Sequence, residues 1–175
     1  METENEYIEI EAKLYKKYTS AIKIKGYVIS TLDKPIVTPY EYVVLNGLKS
    51  ADDRLEWKIK VIRMDRKLGI GFVNSYESVT RKSIDNSAEL FDLENRGKWL
   101  PNTKQIPTPV SNKIPITKNG DIIKVKVSKS TSSLILTFLS HFKQDFQFRL
   151  NSPITDEIFP IIVFHGSANS VEIII

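Results

Sequence analysis

Histidine occurs twice in this chain, at His141 and His165, and cysteine is absent. Without thiols there are no disulfides, no thiolate nucleophile and no cysteine-ligated zinc. Neither a His-x-x-x-His nor a Gly-x-Ser-x-Gly spacing occurs, so the usual zinc and serine-hydrolase arrangements are missing. Two pairs of adjacent acids, Asp52-Asp53 and Asp156-Glu157, could do acid–base work if buried. Both pairs sit beside turn-forming residues, where carboxylates are expected to be solvated or to cap the backbone. The 7 glycines nowhere form a phosphate-cradling loop. These absences predict no catalytic residues, no metal site and no cofactor.

The residues with binding chemistry fall between the apolar runs. Arg63 and Arg66 lie in the charged stretch 63–67, Tyr76 in 76–81, Trp99 in 95–102, and Phe164, His165 and Gly166 in 164–167. Arg, Tyr and Trp are enriched at interface hot spots. Each also has a plain structural reading: Trp99 as a buried hairpin anchor, His165 as a strand-end residue packed under a loop. The run 159–164 is apolar at every position, which predicts a central strand. Gly166 breaks it, and His165 is expected to emerge at that edge. Arg63, Arg66 and Tyr76 are expected to converge there, giving an aromatic wall and guanidinium donors for a carboxylate-bearing or carbonyl-rich peptide.

These loops need strands to hold them. Leu55, Trp57, Ile59 and Val61 alternate with Glu56, Lys58 and Lys60, the pattern of a half-buried strand. Residues 21–29 alternate likewise. Glycine interrupts the strand 68–73 at Gly69 and Gly71, which predicts close packing under a large ring, with Trp57 the expected one. Runs at 120–127, 134–138, 146–150 and 158–164 have strand length and short connections, so an antiparallel meander is expected across them. The stretch 74–118 loses the pattern, and prolines at 101, 107 and 109 predict weak backbone protection over 101–113.

The chain has 175 residues with 41% hydrophobic and 26% charged, enough for one domain with a real core. No apolar run reaches the length of a membrane span, and the first six residues are acidic, so neither a membrane segment nor a secretory signal is expected. A cytoplasmic setting follows as an expectation. Residues 1–18 are expected to form an N-terminal extension with a short helix, in which Tyr7, Ile8, Glu11 and Tyr15 share a face; residues 19–175 form the β domain. Lys23, Lys25, Lys58, Lys60, Lys124 and Lys126 point outward and would make a basic face if their strands share a sheet. That face is the basis of an alternative, a structural or assembly domain contacting nucleic acid or another subunit. The net charge of +4 is too small to favour nucleic acid, and period two places the aromatics on the opposite face from these lysines.

Several of these pieces, in order, resemble the SPRY domains. Residues 55–61 are similar to that family's strand with an aromatic-Glu-hydrophobic run, and 68–72 to the glycine-bearing strand after it. Residues 90–99, ending Gly97-Lys98-Trp99, resemble its aromatic-plus-glycine hairpin, and Asn119-Gly120-Asp121-Ile122 its Gly-Asp-hydrophobic strand. Phe159-Pro160-Ile161-Ile162 is similar to its aromatic-Pro-hydrophobic strand, and 171–175 to its last strand. Ser130-Thr131-Ser132-Ser133 departs from the family's Asp, and Ser140-His141 from its Asn-Gly. The resemblance implies an all-β, bent sandwich of two antiparallel sheets that binds a protein or peptide ligand through loops at one edge and is not an enzyme. It also implies partners among ubiquitin-ligase or signalling components carried on other chains. In the SPRY-SOCS-box adaptors the residues before the final strand line the peptide pocket; the matching positions are Phe164, His165 and Gly166.

Overall fold

The computed structural model describes residues 13–31, 40–46, 48–49, 54–81, 83–99, 113–141, 144–150, 153–166 and 168–174. The strands are β1 (Tyr15–Tyr18), β2 (Ile22–Lys25), β3 (Val28–Thr31), β4 (Glu41–Leu45), β5 (Leu48–Lys49), β6 (Arg54–Arg63), β7 (Lys67–Val73), β8 (Ala88–Asp92), β9 (Gly97–Lys98), β10 (Ile122–Ser128), β11 (Ser133–Phe138), β12 (Asp145–Arg149), β13 (Glu157–His165) and β14 (Ser170–Ile174). A short helix, α1 (Ile84–Ser87), precedes β8. They form two antiparallel sheets. Sheet I runs β1-β4-β13-β7-β8-β9, with β5 also paired to β13; sheet II runs β12-β11-β10-β6-β14-β3-β2.

The alternation in β6 and β10 builds the core between the sheets. Leu55, Ile59 and Val61 of β6 and Ile123, Val125 and Val127 of β10 are buried, and Trp57 stands opposite Val125. From sheet I come Ile70, Phe72, Phe91, Ile162 and Phe164. Sheet I is also covered on its outer face, where Tyr42, Val44, Val73, Phe159, Ile161 and Val163 pack against Val79 and Ile84. That second cover explains why β13 is apolar on both faces.

Four expectations change. Of the helix expected through Tyr15, residues 1–12, with Tyr7, Ile8 and Glu11, lie outside the described residues; Lys13 and Leu14 are helical, but Tyr15–Tyr18 is strand β1, the edge of sheet I, its Tyr15 hydroxyl bonded to the Gly26 carbonyl at 2.6 Å. The stretch 21–29 is not one strand but the β2–β3 hairpin, turned at Gly26 with φ of 59°. The meander ends at β12, because β13 crosses into sheet I, where both of its apolar faces are buried. And the ring seated on Gly69 is that of Trp99, not Trp57; a Cβ on Gly69 would lie 2.7 Å from it. Gly71 answers a different need, the close approach of the Glu89 carbonyl across the β7–β8 ladder. Trp57 is buried as expected, though its indole N–H finds no partner among the described residues. The stretch 101–112 and the pair Asp52-Asp53 lie outside the described residues.

Candidate functional site

Strand alternation decides which end residues of β13 can reach a ligand. Ile158, Ile162 and Phe164 point into the core between the sheets, while Phe159, Ile161, Val163 and His165 point to the outer face. Phe164, expected to contact ligand, is fully buried and unavailable for it. His165 is half-buried at the strand end, opposite Lys67 at the start of β7.

Lys67 organises this end of sheet I. Its ammonium lies 3.8 Å from the centre of the Trp99 ring and 3.4 Å from the Asp92 carboxylate. Asp92 is fully buried, and a buried carboxylate is tolerated only when paired and hydrogen-bonded. It accepts the backbone N–H groups of Glu94 and Asn95 at 3.0 and 3.1 Å and the Asn95 side-chain amide at 2.8 Å. Trp99 is held by its backbone N–H to the Leu90 carbonyl at 3.0 Å, by Lys67 above it and by bare Gly69 beneath. Tyr40 closes the row, edge-on to Trp99 at 5.3 Å and to His165 at 5.7 Å. Trp99 is only 4% exposed, so it anchors the row and does not itself offer a contact surface.

The turn after β13 is pinned from below. Gly166 has φ of 104°, and a side chain there would run into the Asp65 carboxylate. Asn169, buried, donates its amide to the carbonyls of His165 and Gly166 at 3.1 and 3.2 Å and accepts the Asp65 backbone N–H at 2.8 Å. Its own N–H donates to the Thr31 hydroxyl at 3.1 Å, and its carbonyl accepts the Thr31 N–H at 3.0 Å. One residue, through its side-chain amide and its backbone, therefore ties the β6–β7 turn, the β13–β14 turn and β3 together. The exposed Arg66 sits in that β6–β7 turn, and the exposed Arg63 ends β6; neither makes an ion pair among the described residues.

Burial, then the charges of Arg66 and Lys67, hold the His165 imidazole below its ordinary pKa, with Asp65 opposing. At neutral pH it is therefore uncharged, with one N–H to donate and one lone pair to accept. Burial, with Asp92 and Asp65, pushes the Glu94 carboxyl up, Lys67 opposing. The arrangement offers two guanidinium groups with no ion pair among the described residues and a half-buried neutral imidazole, backed by the buried rings of Tyr40 and Trp99. Such a set suits a carboxylate or a row of carbonyls.

Tyr76 does not join this group. Its ring packs edge-on against Phe159 at 5.2 Å, under the ammonium of Lys16 at 4.6 Å. Phe159 begins the outer face of β13 that His165 ends, so about 20 Å of strand separates the two. Tyr76 belongs to the segment that roofs the outer face of sheet I. Lys17 donates to the Val79 carbonyl at 2.5 Å, the Tyr42 hydroxyl to the same carbonyl at 3.2 Å, and Arg81 to both oxygens of the Glu41 carboxylate at 3.1 and 2.9 Å. Of the residues read from sequence, Arg63, Arg66, His165, Gly166 and Trp99 share one end of the molecule, the last two as supports. Tyr40, Asp92 and Asn169 were missed. Each is polar or aromatic at a strand end, and only the fold brings all three to the His165 end of sheet I. His141 belongs elsewhere, its imidazole 3.1 Å from the Asp121 carboxylate at the start of β10. Asp156 is fully exposed and pairs with Lys129 at 3.3 Å, a surface role.

The fold so assembled is that of the SPRY domains. The chain superposes on the SPRY domain of human HERC1 with a TM-score of 0.59 and 11% identity, covering 90% of this chain and 96% of that one. A human SPRY domain gives a TM-score of 0.63 at 14% identity, with the same coverage of both chains. The PSpry domain of TRIM65 gives 0.58 at 9% identity, covering 93% of this chain and 90% of that one. No protein-family model matches the sequence, and no curated protein matches it. What is shared with these structures is architecture.

Proposed function

On the footing of that SPRY-type sandwich, we propose that the chain is a protein-interaction module, not an enzyme, that recognises a peptide or protein loop at the His165 end of sheet I. The observation that carries this reading is the exposed Arg66 guanidinium, without an ion pair among the described residues, whose charge acts on the half-buried neutral His165 at turns fixed by Asn169, with the exposed Arg63 at the end of the strand leading into the same turn. A turn already fixed by Asn169 lowers the backbone ordering cost of binding. Arg66 and His165 make the contacts, Arg63 widens the positive field, and Trp99, Gly166 and Phe164 hold the frame. The implied partner carries a carboxylate or turns several carbonyls outward, and the setting is cytoplasmic.

The alternative places the partner on the outer face of sheet II. Lys124 stands directly opposite Lys58 there, a like-charge pair that a polyanion or an acidic subunit would relieve. Yet Glu56 stands opposite Lys126 and Glu172 opposite Lys60, so the face is mixed in sign and the first reading is preferred.

Affinity capture with the intact chain separates the two. Capture should be lost in the Arg66→Ala/His165→Ala double variant and kept in Lys58→Ala/Lys124→Ala. Contact with nucleic acid on the lysine face would instead weaken steeply as salt is raised. The opposite pattern among the variants would transfer the function to sheet II.

A further inference from the structure

Among the described residues the two sheets leave an open mouth on the side of β9 and β12. β9 is only two residues long and covers just Phe91 and Asp92 of β8. Beyond it a cavity of about 250 Å³ opens, floored by Leu90, Phe91, Leu134, Phe148 and Leu150. Phe91 and Phe148 meet there with ring centres 4.7 Å apart. Gln147, Phe148, Arg149 and Leu150 all border it, although successive side chains of a strand point to opposite faces. The backbone edge of β12 is therefore itself a wall of the cavity.

Among the described residues that edge carries hydrogen-bonding groups with no strand partner. The Leu150 N–H bonds to the Ser132 carbonyl at 2.9 Å, on the β11 side. In an antiparallel ladder the two backbone groups of a residue point the same way, and the direction alternates. Phe148 and Phe146 thus face β11, while Gln147 and Arg149 turn both N–H and C=O outward. β12 ends sheet II among the described strands, so no described strand meets those groups. Arg149 is exposed with no ion pair among the described residues, and Lys98 reaches Glu89 only at 3.8 Å. The rim is therefore net positive.

We propose that this edge accepts an extended peptide as one more strand of sheet II, with apolar side chains at alternate positions entering the cavity and an acidic side chain lying on Arg149. Backbone bonds to Gln147 and Arg149 supply affinity, and the cavity and the guanidinium supply selectivity. The site is separate from the His165 end, and its success or failure leaves that reading untouched.

The test uses a fluorescein-labelled peptide of alternating valine with aspartate or threonine, read by anisotropy on the full chain. Saturable binding is expected, at least about tenfold weaker when lysine replaces aspartate. Methylating alternate peptide amides should abolish binding in one phase and spare it in the other. Gln147→Pro removes an outward N–H and leaves the backbone ladder to β11 intact, losing besides only the Gln147 amide bond to the Ser133 hydroxyl at 2.7 Å, so it should fold and fail to bind. Arg149→Glu should reverse the preference between the aspartate and lysine peptides. Absence of saturable binding, or equal binding by both N-methyl phases, overturns the proposal. So does full competition by sodium decanoate together with undiminished binding to Gln147→Pro, which would mark a small-amphiphile cavity. Should Gln147→Pro fail to fold, the two methylated peptides decide the matter on the unaltered protein.

Discussion

His165 is legible in the sequence as a polar residue at the end of an apolar run, but its charge state is not. That state depends on burial and on Arg66 and Lys67, which arrive from another turn. Because its folded pKa lies below the ordinary 6.5, the unfolded chain binds the proton more readily. This group's contribution to stability is therefore intact above that value and is lost as pH falls through the folded pKa. A proton-NMR titration of His165 should give a midpoint below the ordinary value, and Arg66→Ala should move it upward. A midpoint at or above 6.5 in the unaltered chain would remove the basis for a neutral imidazole. The glycines were read correctly as sites of close packing and wrongly as to partner. Pattern shows that room is needed but does not say which of two indoles, Trp57 or Trp99, takes it. Gly69→Ala presses on the Trp99 ring and should cost about 1–3 kcal/mol in denaturant unfolding. Gly71→Ala meets the Glu89 backbone, which has no rotamer to yield, and should cost more.

At the scale of elements, strands with one polar face were found easily and the others were not placed. β6 and β10 alternate, and their register follows. β13 is apolar throughout, so its sequence states that both faces are covered but not by what. The roof, held by Arg81 to Glu41 and by Lys17 and Tyr42 to Val79, comes from the stretch where the pattern dissolves. This is why Tyr76 was assigned to the wrong end of the sheet. The same limit hid Asn169, whose bonds join three elements far apart in the chain. Asn169→Ala leaves the Asp65 N–H and two carbonyls without that partner, and each unsatisfied buried group costs about 1–3 kcal/mol. Thermal unfolding should show this loss, and faster amide exchange at Asp65 and Gly166 should locate it. Unchanged exchange there would mean that the turns stand without the amide. Trp57→Ala should cost about 3–5 kcal/mol, as other large aromatic core deletions do; a loss under about 1 kcal/mol would show that Trp57 is peripheral to the core.

For the whole molecule, an all-β domain was readable because strand length, alternation and turn residues agree along most of the chain, and the two-sheet sandwich followed from the ordered resemblance to the SPRY domains. The convergence of loops was not, since it depends on which strand ends share an edge. The charge is spread so that each surface has its own character. The His165 end carries guanidinium groups without ion pairs among the described residues, beside a fixed turn, and the face of sheet II carries lysines interleaved with Glu56 and Glu172. The central claim is that recognition occurs at the first of these. Its most direct test is the affinity of peptides selected from a displayed random library on the intact chain, measured by calorimetry against Arg66→Ala, His165→Ala, Lys124→Ala and Gln147→Pro. The account predicts that the dominant selected peptides lose about 1–2 kcal/mol or more with Arg66→Ala and with His165→Ala, the range of interface hot spots, and nothing with Lys124→Ala. Selected peptides that ignore Arg66 and His165 but are lost with Lys124→Ala would contradict it.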